Sequence, residues 1–171
     1  MAKVFGCCVL AFALSTTAAF SQEPGFGVSV AAVGQFPAGD FERATGFGFG
    51  GLAGVEFGGE ALSITARSGY IQHLERQNRT ISFIPILGGL KLSTDDRSVY
   101  LAGELGVVRT KIEDAGILAR DANENNMGWS AGVGSMGGPF DIRFNFNVWD
   151  AAHLKETMTL GVSFGVTVWS L

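Results

Sequence analysis

Five charged side chains lie at alternate positions within otherwise apolar or glycine-rich segments, where they could act on one another. They are Arg67, Lys91, Glu104, Asp141 and Arg143. A charge enclosed by protein must find an opposite charge, because an unpaired buried charge destabilises the fold. We therefore expect an ion-pair network centred on Glu104, with Arg143, Arg67 or Lys91 as partners.

The two histidines are the other groups suited to acid–base chemistry. His73 begins a mostly polar stretch, and His153 is followed by Leu154, Lys155 and Glu156, with no serine nearby in the same segment. A hydroxyl nucleophile needs its base within hydrogen-bond reach. We therefore interpret His153 as a solvated loop histidine and predict no catalytic residues.

Metal and cofactor sites are not indicated by the sequence. The two cysteines, Cys7 and Cys8, lie near the N-terminus, so the rest of the chain offers no thiolate ligand or nucleophile. Residues 46–51 and 132–137 match G-x-G-x-x-G, but neither segment follows a strand and opens a helix, as a dinucleotide site requires. The carboxylates of residues 113–124 lack calcium-loop spacing. We predict no metal and no cofactor.

The N-terminal segment has the pattern of a secretory signal. Lys3 is its one charge, residues 4–14 are nearly all apolar, and the small residues that follow lead to a small-x-small site at 19–21. The apolar run is short for the roughly 20 residues that a membrane-spanning helix needs, although an uncleaved anchor helix is the alternative. We predict a signal peptide at 1–21 and one domain at 22–171.

The composition favours a chain that does not face water everywhere. Charged residues make up 16% of the sequence, against about 25% in soluble domains, and there are 25 glycines and 14 phenylalanines. The net charge of −4 argues against a nucleic-acid partner. After residue 21 there is no apolar run long enough to suggest a membrane helix.

Apolar and other residues alternate with a period of two through residues 22–171, which indicates strands. Pro85 predicts a local irregularity, because proline cannot donate a ladder hydrogen bond. Residues 112–127 show no strand pattern and are interpreted as the longest loop. The predicted strands are 26–32, 47–57, 62–70, 81–92, 99–107, 128–136, 140–149 and 157–168.

The two faces of these strands distinguish a membrane barrel from a soluble one. In residues 140–148 the apolar face is large, with Phe144 and Phe146, whereas the other face carries Arg143 and Asn145. Small and polar residues fit a narrow interior, and large apolar residues fit lipid. Short turns alternate with longer connections, as in outer-membrane proteins. We predict an all-β, eight-stranded, antiparallel up-and-down transmembrane β-barrel.

Aromatic residues near the strand ends agree with this prediction. Five of them lie where the chain would meet the two surfaces of a bilayer, which is where aromatic girdles form. They are Tyr70, Trp129, Phe140, Trp149 and Trp169.

Four motifs in order carry a resemblance to a known family: 36–41 (FPAGDF), 84–92 (IPILGGLKL), 100–106 (YLAGELG) and 129–134 (WSAGVG). With them, nearly all of residues 22–171 resembles the small eight-stranded outer-membrane proteins related to the transmembrane domain of outer-membrane protein A. The last strand of that family usually ends in an aromatic residue on the lipid-facing register. Here Leu171 falls out of step with the apolar register that runs from Val162 to Val168.

The resemblance and the patterns together imply a bacterial outer-membrane barrel, exported through its signal peptide. We expect a non-enzymatic structural or surface-interaction role, with outer-membrane lipid around the barrel, extracellular ligands at loop 112–127, and a monomeric state. A narrow channel or small-solute-binding barrel is the alternative, and a membrane-embedded lipid hydrolase is the second. In the barrel, the charge network is either a stabilising plug or a gate, and the filled interior of eight strands favours the plug.

Overall fold

The computed structural model describes residues 25–59, 61–76, 79–94, 98–114 and 122–170. The signal peptide predicted at 1–21 and the C-terminal Leu171 lie outside these residues. The described residues form eight strands, one short α-helix and one 3-10 turn. The strands are β1 (Gly25–Pro37), β2 (Gly48–Gly58), β3 (Leu62–His73), β4 (Arg79–Ser93), β5 (Val99–Asp114), β6 (Ala122–Gly137), β7 (Phe140–Val148) and β8 (Met158–Ser170); α1 is Phe41–Ala44 and the 3-10 turn is Leu154–Glu156.

The strands close into one antiparallel barrel in chain order, because β1 pairs with both β2 and β8. This confirms the predicted fold class. Strands β2, β4 and β6 end on the side where β1 begins, which we call the turn end. Strands β1, β3, β5 and β7 end on the opposite side, which we call the loop end. None of the helices formed by the described residues is long and apolar enough to cross a membrane.

The predicted alternation is realised as two distinct faces. Large apolar side chains point outward and stay exposed, as with Ile86, Leu101, Leu105 and Phe144, which are 58–62% exposed. Polar side chains such as Asn145 and Ser163 point inward and are buried. An apolar exterior around a polar interior reverses the arrangement of a soluble barrel and matches that of a membrane barrel.

Residues 112–127 correct the sequence analysis, because most of them belong to strands rather than to a loop. The β5–β6 pairing continues to Ile112–Ala122, and β4 accompanies β5 as far as Arg79–Asp114. The alternation of apolar residues is lost where this hairpin extends beyond the apolar band, because neither face must then meet lipid. Backbone pairing continues there without the pattern that the prediction used.

Pro85 interrupts the sheet without changing its register. The β3–β4 ladder runs to Ser68–Ile86 and resumes at Ile71–Phe83, so the gap lies beside Pro85. The register does shift at the other edge of the barrel, between Val28 and Ser29 of β1. There Ser29 pairs with Thr167 and Val28 with Trp169, so one residue of β8 bulges.

The bulge decides where the last aromatic residue points. Trp169 lies opposite the outward-facing Val28, is 49% exposed, and packs edge-to-face on Phe26 with ring centroids 5.5 Å apart. Strict alternation placed Leu171 out of step with the lipid-facing register, but the bulge breaks that alternation after Thr167. The aromatic residue Trp169 thus occupies the outer face, although Leu171 itself is not described.

The outer aromatic residues form a belt toward each end. Toward the turn end Phe140 stacks on Phe164 and Phe26 contacts Trp169; toward the loop end the pairs are Phe36–Phe47 and Trp129–Phe146. Tyr70 also faces outward and is 47% exposed. Trp149 was expected in such a belt, which is wrong: it is buried inside the barrel at 1% exposure. It continues the inward register of Asn145 and Asn147 past the end of β7.

Candidate functional site

The interior of the barrel holds an ion-pair cluster built around Glu104. Strands β3, β5 and β7 each place one charged side chain on their inward register. Glu104 of β5 pairs with both Arg67 of β3 and Arg143 of β7. Arg143 donates two hydrogen bonds of 3.0 Å, from Nη1 to Oε1 and from Nη2 to Oε2, and Arg67 forms an ion pair with Oε2. Such a two-point guanidinium–carboxylate pair is both strong and geometrically specific.

Neutral side chains complete this cluster. Arg67 also donates from Nη2 to Ser130 Oγ at 3.0 Å, and Thr65 donates to Glu104 Oε1 at 3.4 Å. Glu104 is 4% exposed and Arg143 is 6% exposed, so the charges are shielded from bulk water. The structure thus brings together three of the five predicted network residues, Arg67, Glu104 and Arg143.

The other two predicted residues have different partners. Lys91 Nζ donates to Glu56 Oε2 at 2.7 Å and lies 4.7 Å from the centre of the Tyr100 ring. Asp141 accepts from the Tyr100 hydroxyl at 2.7 and 2.9 Å. Lys91 and Asp141 are therefore joined through Tyr100 rather than through Glu104.

Glu56 and Tyr100 are members of the network that the sequence analysis missed as partners. The alternation of β2 could have found Glu56, since it lies between the outward residues Val55 and Phe57. The position of Tyr100 depends on Gly134, its direct partner on β6. A β-carbon at Gly134 would overlap the Tyr100 ring, so the glycine makes room for the ring against the barrel wall.

A second buried cluster fills the interior at the loop end, and it is aromatic. Phe83 stacks on Trp149 with centroids 5.4 Å apart, and it meets His73 edge-on at 5.4 Å. Phe41 of α1 covers the loop-end side of the cluster. Its ring centroid lies 5.3 Å from that of His73 and 5.9 Å from that of Phe83. His73 is 0% exposed, so it is an interior residue and not part of a solvated loop.

The connections at the loop end hold Phe41 in place. Gly46 N donates to Leu74 O at 3.1 Å and Leu74 N donates to Phe47 O at 2.8 Å, which ties the β1–β2 connection to the β3–β4 connection. On the other side Asp40 N donates to Lys155 O at 3.0 Å. Gly39 allows this approach through its positive φ of 65°. The α1 segment is thus fixed over the mouth of the barrel from both sides.

The interior is open toward the turn end. A cavity of about 460 Å³ is lined there by Ser29, Glu56, Ser63, Lys91 and Thr167, among others. A smaller space of about 80 Å³ continues inward beside Glu104, Arg67 and Arg143. Beyond it the aromatic cluster fills the interior, so the described residues enclose a blind-ended cavity rather than a passage.

His153 lies outside the barrel in the β7–β8 connection, as expected for a loop histidine, and is paired. Its Nδ1 lies 2.8 Å from Asp150 Oδ2. The Asp150 carboxylate raises the pKa of His153 above 6.5. For Asp150, partial burial works to raise the pKa, but hydrogen bonds from His153 and the Ala152 N–H outweigh it and leave the pKa below 3.8. Among the described residues, no group of three or more His, Cys, Asp or Glu side chains could hold a metal ion.

Comparison with known proteins shows the fold. The structure is similar to Ail, the attachment invasion locus protein of Yersinia pestis, with a TM-score of 0.65 and 11% identity over 88% of this chain and 100% of that chain. It is similar to Neisserial surface protein A, with a TM-score of 0.63 and 15% identity over 86% and 99% of the two chains. No protein-family model and no curated protein sequence matches the chain.

A third similar structure is the N-terminal β-barrel domain of Pseudomonas aeruginosa OprF. Its TM-score is 0.58, with 11% identity over 85% of this chain and 97% of that domain. Ail has also been crystallised in complex with the heparin analogue sucrose octasulfate. The chain therefore has the fold of the small eight-stranded outer-membrane barrels, as the sequence resemblance implied.

Proposed function

We propose that this chain is a monomeric bacterial outer-membrane barrel that acts as a scaffold for surface interaction and catalyses no reaction. Its apolar exterior between two aromatic belts supports a place in a bilayer. The secretory signal predicted at 1–21 and the short and long connections at opposite ends support an outer-membrane orientation with the loop end outside.

The filled interior favours a scaffold over a pore. The Glu104 cluster occupies the middle of the barrel, and the aromatic cluster of Phe41, His73, Phe83 and Trp149 closes the loop end. A solute entering from the turn end would meet both obstacles in turn. This two-layered closure is the observation that carries the proposal.

The β5–β6 hairpin supplies the contact surface, because among the described residues the outer edge of β6 has no ladder partner before Trp129. The β6–β7 ladder begins only at Trp129–Val148, whereas the β5–β6 ladder extends to Ile112–Ala122. Met127 O accepts from Ala151 N at 2.7 Å, so the backbone groups of Met127 point away from β5. The backbone N–H and C=O groups of Asn125 and Asn123 point the same way, because these groups alternate in direction along a strand and every second residue shares one direction.

An exposed strand edge of this kind can add a strand from a partner, with backbone hydrogen bonds giving affinity. Ail shows that a barrel of this fold can carry an attachment role and bind a sulfated ligand. We propose that the β5–β6 hairpin is the ligand-binding surface of this chain. Its ligand would be an extended peptide segment of an extracellular protein.

Cell fractionation with a heat-modifiability gel tests the membrane proposal. We expect the protein in the outer-membrane fraction, with a folded band that shifts on boiling. A soluble protein without a heat-shifted band would overturn the proposal.

Substitutions on β6 test the contact surface. In Asn125→Pro the lost N–H belongs to this outer edge of β6, so the barrel should fold while adhesion of displaying cells to protein-coated surfaces falls. In the matched variant Asn126→Pro the lost N–H points toward β5, so the hairpin itself should be disturbed. Undiminished adhesion in Asn125→Pro would show that the β6 edge is not the contact surface. The same assay on heparin-coated surfaces compares a peptide ligand with a sulfated one.

The cavity at the turn end favours one second candidate, a barrel that binds a small solute. Its volume of about 460 Å³ suits a small molecule, and the Glu56–Lys91 ion pair in its lining could exchange partners with a solute that carries both charges. Binding measured by calorimetry with small zwitterionic solutes would separate this candidate from an empty vestibule.

A further inference from the structure

The outer wall formed by β4, β5 and β6 changes abruptly from apolar to charged near the loop end. Ile86, Val107 and Met127 form one cross-strand row on this wall, and they are 62%, 53% and 64% exposed. On β5 the outward residues below this row are Val99, Leu101, Gly103 and Leu105, none of them polar. The row is therefore the last one before the loop end in which all three strands contribute an apolar residue.

The next row on the same wall carries a guanidinium. Arg109 follows Val107 on the outward register, is exposed, and pairs across the sheet with Ile84 and Asn125. One row further, Lys111 faces outward opposite Ser82 and Asn123 and forms an ion pair with Glu113. Arg109 is thus the first outward charge that the wall presents above its apolar surface.

The spacing puts this charge at the edge of a bilayer. Five outward rows run from Val99 to Val107, and with about 3.3 Å per residue and strands tilted by about 40° they rise about 20 Å. The apolar band of an outer-membrane barrel is about 25 Å tall. Arg109, one outward row above Val107, would therefore lie at the level of the lipid headgroups. The ring of Tyr70 lies at this level too, with its hydroxyl 2.8 Å from Ser82 Oγ.

We infer that this wall binds the phosphate group of a lipid headgroup at Arg109, with the Asn125 amide beside it. The inference rests on the proposed outer-membrane location. A guanidinium presents paired N–H donors that match a phosphate, and its long stem can lie along the apolar row below. Charge complementarity selects a phosphate-bearing lipid with an exposed anionic group over a zwitterionic one.

Native mass spectrometry of the full barrel in nanodiscs tests this inference. The discs contain a phosphorylated glycolipid in a phosphocholine background, and the fraction of barrel that retains the glycolipid is measured. We expect Arg109→Gln to weaken retention about fivefold, since one basic residue near an anionic surface contributes on that scale. Arg109→Lys should lose less, because it keeps the charge.

The control is Arg43→Gln, which removes the same charge from the same end of the molecule. Arg43 lies on α1 between β1 and β2, with its side chain 87% exposed, and so is not part of the wall formed by β4, β5 and β6. Its variant should retain the glycolipid as the wild type does. Equal loss in both variants would overturn the inference, because it would reflect net charge alone.

The remaining outcomes separate the possible sources of the anion. Retention unchanged in Arg109→Gln, in a protein that still shows a heat-modifiable folded band, overturns the lipid site and leaves the membrane proposal intact. Absence of that band overturns the membrane proposal itself. Binding of inorganic phosphate and of heparin is also measured in detergent. If Arg109→Gln weakens either of these as strongly as it weakens glycolipid retention, the assignment to a lipid is overturned.

Discussion

Arg143 and Glu104 face each other across the interior of the barrel with two hydrogen bonds of 3.0 Å each. They come from β7 and β5, which flank β6, and both side chains are buried. Arg67 reaches the same carboxylate from β3. Glu104 thus balances two guanidinium groups at once, so its loss would leave two cations in the interior without their carboxylate.

Replacing Glu104 by alanine should destabilise the barrel strongly. The substitution leaves Arg67 and Arg143 buried without their carboxylate, and breaking a buried ion pair in this way costs about 3–5 kcal/mol. Urea unfolding in lipid vesicles, followed by the heat-modifiable band, measures the change. Glu56→Ala is the control: Glu56 is 37% exposed and pairs with one cation, so a loss as large as that of Glu104→Ala would contradict the central role of Glu104.

Conductance distinguishes a plug from a gate. In planar bilayers we expect no channel activity from the wild type and none from Glu104→Ala, because the aromatic cluster still closes the loop end. Opening of discrete channels in Glu104→Ala would show that the ion pairs are the only barrier and that the gate interpretation is correct.

The aromatic cluster makes its own contribution to stability. Phe83 is 1% exposed and contacts Phe41, His73 and Trp149, so Phe83→Ala should cost about 3–5 kcal/mol. Phe144→Ala is the matched control on the outer face, where lipid can fill the space that the ring leaves. Equal losses in the two variants, measured by urea unfolding in vesicles, would argue that Phe83 packs no better than a lipid-facing residue.

The sequence predicted the barrel because lipid and a narrow interior make opposite demands on successive residues. Strands such as β7 and β8 must alternate large apolar residues with small or polar ones, and this pattern is visible without coordinates. The inward register of Arg67, Glu104 and Arg143 followed from the same alternation. Which charge would reach which partner did not, because strands that are not neighbours in the sheet meet only across the interior.

The sequence-based predictions failed where contact with lipid no longer imposes an alternation of apolar and polar residues on the strands. The β5–β6 hairpin extends past the apolar band, so its strands carry no apolar period. Trp169 does reach the outer face, as its expected place in the aromatic belt predicted, but it does so through one bulged residue that periodicity cannot show. Trp149 was assigned from residue type and distance to the strand end, although its register pointed inward with Asn147.

The pairing of His153 with Asp150 predicts a pH dependence confined to the loop end. The raised pKa of His153 means that its contribution is fully present below pH 6.5 and is lost as the pH rises through the folded value. The lowered pKa of Asp150 means that its contribution is present above pH 3.8 and is lost as the pH falls through the folded value. The pair should therefore order the β7–β8 connection best between about pH 4 and 6.5.

An NMR titration of the His153 ring in detergent micelles measures this directly. We expect a pKa above 6.5 in the wild type and a return toward 6.5 in Asp150→Asn, which keeps a hydrogen-bond acceptor but removes the charge. Glu156→Gln is the control, because Glu156 is a smaller contributor to the raised pKa. A His153 pKa that is the same in the wild type and in Asp150→Asn would show that the Asp150 carboxylate does not hold the imidazolium in solution.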